Sequence, residues 1–166
     1  MRKLFALLIL ILATSLSAKA QIPSRADLFG GYSYARIDAK PSINLNGWNL
    51  SLNLKPNSWF GIVGDFGGYY GSPSGVSTNV HTFLFGPQVS FPASVSPFAH
   101  VLLGGAHVNA GGASSTSFAS AYGGGLDLKW KSHLAFRVAQ IDYLMTRFGS
   151  TTQNNLRIST GIVLRF

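Results

Sequence analysis

Four histidines, five aspartates and a scatter of serines are the side chains from which this 166-residue sequence would have to build hydrolytic or metal chemistry. A Ser–His–acid relay needs a base held between a hydroxyl and an orienting carboxylate, and a zinc-type site needs three or four converging ligands. His81, His100, His107 and His133 fall on separate segments, with no i, i+2 pair to put two on one strand face. Cys and Glu do not occur at all. The run Gly123–Gly125 is not followed by the Lys-Ser/Thr of a phosphate loop. These residues predict no catalytic, cofactor or metal site. The charged residues are more telling: Asp65, Asp127, Lys129, Arg137, Asp142, Arg157 and Arg165 stand singly in otherwise apolar or small-residue segments.

The segments that must position those charges alternate at the period of a β-strand. In the closing stretch "NNLRISTGIVLRF", Leu156, Ile158, Thr160, Ile162, Leu164 and Phe166 share one face, and Arg157, Ser159, Gly161, Val163 and Arg165 share the other. Trp48, Leu50, Leu52 and Leu54 oppose Asn49, Ser51 and Asn53. Phe60, Ile62, Phe66 and Tyr70 oppose Asp65, and Phe83, Phe85, Val89 and Phe91 oppose Thr82, Leu84, Gln88 and Ser90. Tyr122, Leu126, Leu128 and Trp130 oppose Asp127 and Lys129. Gly, Pro, Ser and Asn clusters separate eight such segments, at about 27–37, 46–55, 58–70, 78–91, 97–108, 117–130, 133–147 and 154–166.

In a soluble sandwich the polar face would carry Lys, Glu and Asp. Here it is Gly, Ser, Ala and Asn with isolated charges, which suits the crowded inside of a narrow barrel. The large apolar face then points outward, where a bilayer tolerates it and water does not. The expected fold class is therefore all-β: an eight-stranded antiparallel up-and-down transmembrane β-barrel. Turns at "KPNS", "PASVS" and "KWKS" on one side, against "DAKPSINLN", "GSPSGVST", "NAGGASST" and "FGSTTQNN" on the other, give the short-turn, long-loop asymmetry of outer-membrane barrels. Two aromatic girdles are expected. Phe29, Phe60, Phe91, Phe98, Trp130 and Phe166 form one, and Tyr32, Tyr34, Trp48, Tyr69, Tyr70, Tyr122 and Tyr143 the other.

The seventh segment breaks the pattern. With Leu134, Phe136 and Val138 outward and Arg137 inward, strict alternation puts Asp142 in lipid; a β-bulge near Ala139 or Gln140 restores it to the lumen and Tyr143 to a girdle. The inward charges must then pair or stay hydrated. A plugging salt-bridge network is expected, joining Asp127 and Asp142 to Arg137 or Arg157. With eight strands the interior is just filled by side chains, so an open pore is not expected.

Compartment is read from the first residues. Arg2 and Lys3 precede the apolar run 4–13, and "SAKA" ends at Ala20, the layout of a Sec signal peptide over 1–20 with cleavage before Gln21. Residues 21–166 then form one outer-membrane domain. Taking Arg2, Lys3 and Lys19 away with the leader leaves ten basic residues against five Asp, a net charge of +5. Those charges are scattered, unlike a nucleic-acid footprint, and fit headgroup and lipopolysaccharide phosphates better. No Cys is present for a disulfide that export would permit.

"FGGYSYAR", "HTFLFGPQVSF", "PFAHVLLGGAHV", "SAYGGGLDLKW", "FRVAQIDYLMTRF" and the terminal "GIVLRF" together resemble the eight-stranded outer-membrane barrels of the OmpA-type and opacity-like class, over about 25–166. The resemblance implies an assembly signal at Ile162, Leu164 and Phe166, read by the barrel-assembly machinery. It implies a location in the outer membrane of a Gram-negative-type bacterium, among lipids and lipopolysaccharide, as a monomer. Some barrels of this kind are lipid A deacylases with a Ser, a His and an orienting Glu; the missing Glu points away from that activity. The expected role is structural or surface-interacting without catalysis. Two alternatives are a narrow channel or binder of small apolar molecules, with His100, Leu102 and Leu103 as lining, and a soluble exported lipocalin-like binder.

Overall fold

The computed structural model describes residues 25–38, 42–148 and 151–166. The expected leader and its cleavage site lie outside the described residues. Eight strands follow one another in chain order: β1 (Arg25–Ile37), β2 (Ile43–Lys55), β3 (Phe60–Gly71), β4 (Thr78–Ser90), β5 (Val95–Ala110), β6 (Ala113–Lys131), β7 (Leu134–Phe148) and β8 (Thr151–Arg165). Each pairs antiparallel with its neighbours, and β8 pairs with β1, so the sheet closes into a barrel. The seam runs in register from Asp27 opposite Arg165 to Arg36 opposite Leu156. Beyond it Ala26 and Phe166 exchange backbone hydrogen bonds. Closure leaves no sheet edge unpaired, which a bilayer requires because it offers backbone groups no water.

Side chains divide as the alternation predicts. Trp48, Leu50, Leu52, Leu54, Ile62, Phe66, Phe83, Phe85, Leu128, Ile158, Ile162 and Leu164 are exposed on the outside of the barrel. Asn49, Ser51, Asn53, Asp65, Thr82, Gln88, Asp127, Arg157 and Ser159 are buried inside. The domain has inverted the usual arrangement, with its polar groups in the centre and a continuous apolar belt around them.

Two expectations about the rims need correction. Phe29, Phe98 and Tyr69 are buried in the lumen rather than standing in a girdle. Phe29 shares its face with Asp27 and Ser33, and Phe98 shares its face with His100, so parity sends all of them inward whatever their height. Trp59, which was not expected at the rim, is exposed there beside Phe60. Two of the four long polar loops, "NAGGASST" and "FGSTTQNN", are also largely strand. β5 and β6 run 16 and 19 residues, well past the 9–11 that span a bilayer. They are joined only by Gly111 and Gly112, whose φ values of 57° and 85° make the two-residue turn that suits a twisted hairpin. Of "FGSTTQNN", Thr151 to Asn155 belong to β8, and 149–150 lie outside the described residues. At these two hairpins the asymmetry is one of strand overhang more than of loop length.

Candidate functional site

A register shift in β7 positions the lumen charges. Ala139 lies opposite Leu126 and Arg137 opposite Asp127 on β6, while on β8 Arg137 faces Gly161 and Gln140 faces Ser159. The residues between, Val138 and Ala139, form a bulge, and Thr160 Oγ1 donates to the Arg137 carbonyl at 2.9 Å across it. One extra residue flips every later side chain to the opposite face. Arg137, Gln140 and Asp142 therefore all point inward, while Tyr143 stays outside.

From these positions a continuous chain of charge-assisted hydrogen bonds crosses the lumen. Arg137 Nε and Nη2 donate to Asp127 Oδ1 and Oδ2 at 2.8 and 3.2 Å, and Nη1 donates to Gln140 Oε1 at 2.6 Å. Gln140 Nε2 donates onward to Asp142 Oδ2 at 2.7 Å. Arg157 Nε donates to the same oxygen at 2.8 Å, and Arg157 Nη1 to Asp65 Oδ1 at 2.6 Å. Asn49 Nδ2 ends the chain on Asp65 Oδ2 at 3.0 Å. His100 Nε2 lies 2.7 Å from Asp142 Oδ1. The Arg137 guanidinium is also stacked between the rings of Phe29 and Phe98, 4.3 and 4.2 Å from their centroids, a cation–π arrangement that strengthens as water is excluded.

The glycines of strand β6 make room for this assembly. A Cβ on Gly123 would lie 2.1 Å from Asp142 Oδ1, and one on Gly125 would lie 2.8 Å from the Phe98 ring. The "GGG" run is therefore a clearance for a carboxylate and an aromatic ring.

Five of the seven charges expected in the lumen, Asp65, Asp127, Arg137, Asp142 and Arg157, are buried there and bonded to one another through Gln140. Arg165 sits nearer the terminal mouth, 3.8 Å from Asp127 and partly exposed. Lys129 has the inward parity but lies exposed at that mouth, without an ion pair among the described residues. Leu102 is buried inside but Leu103 is exposed outside, as neighbours on a strand must be, so the two do not line one interior surface. Gln140, Asn49 and His100 are part of the lumen chain although the spacing of charges did not single them out. Asp27 and Lys55 add an ion pair near the terminal mouth. Ile162, Leu164 and Phe166 are exposed on the outer surface of the closing strand and at its end.

The histidines do not converge. His100 Nδ1 is buried with no hydrogen-bond partner, so no serine hydroxyl completes a relay through His100 and Asp142. His81 and His107 face each other across β4 and β5, where they bond Tyr70 and Thr116 respectively. Among the described residues no group of three or more His, Cys, Asp or Glu side chains is placed to hold a metal ion. This interior joins opposite walls of the barrel through matched charges.

No family model matches the chain, and no curated protein matches it in sequence. Solved structures do match in fold. The attachment invasion locus protein Ail of Yersinia pestis is 18% identical, with a TM-score of 0.62 over 86% of this chain and 98% of that one. Neisserial surface protein A is 17% identical, with a TM-score of 0.69 over 85% and 97%. The N-terminal β-barrel domain of Pseudomonas aeruginosa OprF is 12% identical, with a TM-score of 0.57 over 88% and 100%. The chain shares its closed, eight-stranded antiparallel architecture with these outer-membrane barrels.

Proposed function

We propose that this chain is an integral outer-membrane barrel of a Gram-negative-type bacterium, with a structural or surface-interaction role and no catalysis. The observation that carries the reading is the pairing of an unbroken apolar exterior with a lumen crossed by the Asp127–Arg137–Gln140–Asp142–Arg157–Asp65 chain. The first has a stable place only in lipid; the second blocks the path a pore would need. The architectural likeness to outer-membrane barrels supports the same location, and one of them is named for attachment and invasion.

On this reading residues 1–20 are removed during Sec export, and both ends of the barrel domain face the periplasm. Ile162, Leu164 and Phe166 serve as the signal for the barrel-assembly machinery. Scattered basic side chains meet lipid headgroups and lipopolysaccharide phosphates, and the barrel works as a monomer without cofactor or nucleic acid. The test refolds residues 21–166 in detergent and, in parallel, in buffer. A faster-migrating unheated gel band that needs detergent, with no steady single-channel conductance in planar bilayers, is the expected result. A soluble monomer in buffer alone refutes the membrane reading in favour of an exported soluble binder; a stable conductance refutes the sealed lumen.

A further inference from the structure

Beyond the charge network, at the end of the barrel away from the termini, the lumen changes character. The next inward positions are Leu144 and Thr146 on β7, after Asp142, and Asn155 and Gln153 on β8, after Arg157. Together with Ile37, Ile43, Leu45, Val80, Ala106 and Val108 they line a cavity of about 370 Å³. Among the described residues none of its lining side chains is charged. The polar groups deep in it are already partnered: Asn155 Nδ2 donates to Thr146 Oγ1 at 3.1 Å, Asn155 Oδ1 accepts from the Asp38 backbone at 3.0 Å, and Thr78 Oγ1 donates to the Val76 carbonyl at 3.3 Å. An ordered water needs two to four polar partners, and deep in the cup the ones present are engaged with one another or with backbone. Its apolar side is firmly backed, since Leu45 and Val80 pack with Tyr69 and Ala35, and Leu144 and Ala106 pack with Leu84 and Leu102.

A preformed concave site of a few hundred Å³, apolar with a few polar groups at its rim, is the usual form of a small-molecule site. We infer that this cup binds a neutral, mainly apolar small molecule with one polar group. The volume lies in the range of ordinary small-molecule sites, and Ser115 and Gln153, both of inward parity, are positioned to meet the polar group. An anion is disfavoured because no cation lines the wall among the described residues. The floor is the sealed network, so the cup holds a ligand and does not conduct it. The inference rests on the membrane-barrel reading and adds a ligand site to it.

The test places the isotopically methyl-labelled barrel in lipid nanodiscs and titrates it with 2-naphthol while recording methyl NMR spectra. The expected result is a saturable shift at Ile37, Leu45, Val80 and Leu144, with only linear, non-saturating change at lipid-facing Leu50 and Leu164. 2-Naphthalenesulfonate, with the same rings and a fixed negative charge, should bind at least tenfold more weakly. Val108→Trp, which fills the cup, should weaken 2-naphthol at least tenfold; Ala110→Phe, nearer the rim, takes its place if Val108→Trp loses its heat-modifiable band. Lumen and lipid-facing methyls shifting alike without saturation, no shift at all, or full affinity in a folded cup-filling variant each overturns the site. A chain that never inserts into nanodiscs overturns the membrane reading itself, a different failure.

Discussion

Replacing Arg157 with Met removes the cation that holds two carboxylates in the centre of the barrel. Asp142 and Asp65 are effectively fully buried, as is Arg157, and the guanidinium reaches both at 2.8 and 2.6 Å. Breaking a buried pair by deleting one partner costs about 3–5 kcal/mol, because the remaining charge keeps its desolvation penalty without its partner. Here two anions are stranded at once. Asp142 keeps His100 and Gln140, and Asp65 keeps Asn49, so we expect about 4 kcal/mol rather than twice that.

Arg137→Met is the matched control. Its partner Asp127 has Arg165 at 3.8 Å in reserve beside a partly hydrated mouth, so the loss should be about 2 kcal/mol, within the range for charged hydrogen bonds. Replacing the whole cluster, Asp65→Leu with Asp142→Leu and Arg157→Met, should recover much of the single-variant loss, since apolar substitutes for a buried ion cluster are often neutral. The assay is a urea titration of barrels folded into lipid vesicles, followed by Trp fluorescence and heat-modifiability. A folded Arg157→Met barrel that loses less than about 1 kcal/mol, or loses less than Arg137→Met, would show that water penetrates the lumen and that the network is not dry.

The remaining expectations use the same titration. Leu164→Arg puts a charge on the lipid face and should cost up to about 2–4 kcal/mol if it lies deep; Arg165→Leu removes only a long, partly exposed pair and should cost under about 1 kcal/mol. Equal costs for the two would reverse the facing assigned to β8. Deleting Ala139 removes the extra residue and leaves strict alternation from Arg137 to Asp142, so Gln140 and Asp142 stay inward and the heat-modifiable band should persist; loss of the band would mean that the bulge itself is needed, and not only the facing it gives Asp142. Gly123→Ala drives a methyl into Asp142 and the β7 backbone and should cost about 1–3 kcal/mol, as overpacking does; a neutral result would place Asp142 away from β6.

Which residues of this barrel were legible in sequence followed from what alternation carries. Asp142 exposed the bulge because a single carboxylate on a lipid face is too costly to accept, and the structure places the irregularity at Val138–Ala139. Parity also held the positions of Phe29, Phe98 and Tyr69, but grouping aromatics by height along the strand hid it. Lys129 shows the reverse problem: parity gives the face and not the depth, and its strand carries it out to the mouth. Arg157 meeting Asp65 was beyond reach, since the two are 92 residues apart and on strands that are not neighbours. Only closure and the tilt of the strands bring them together. His100 meeting Asp142 across the lumen is hidden for the same reason.

The seam between β1 and β8 gives that long-range contact a role in time. Arg157 stands on the last strand, in register with Ala35 on the first, while Asp65 waits on β3. Until the ends of the sheet meet, these charges sit in an open, wet trough, where water solvates them at little cost. Pairing β8 with β1 closes the sheet and brings Arg157 within reach of Asp65. Opening the finished barrel must then pull apart matched ions before water can enter to replace them. The Arg157–Asp65 contact therefore exists only in the closed barrel, and parting the β1–β8 seam means separating matched ions.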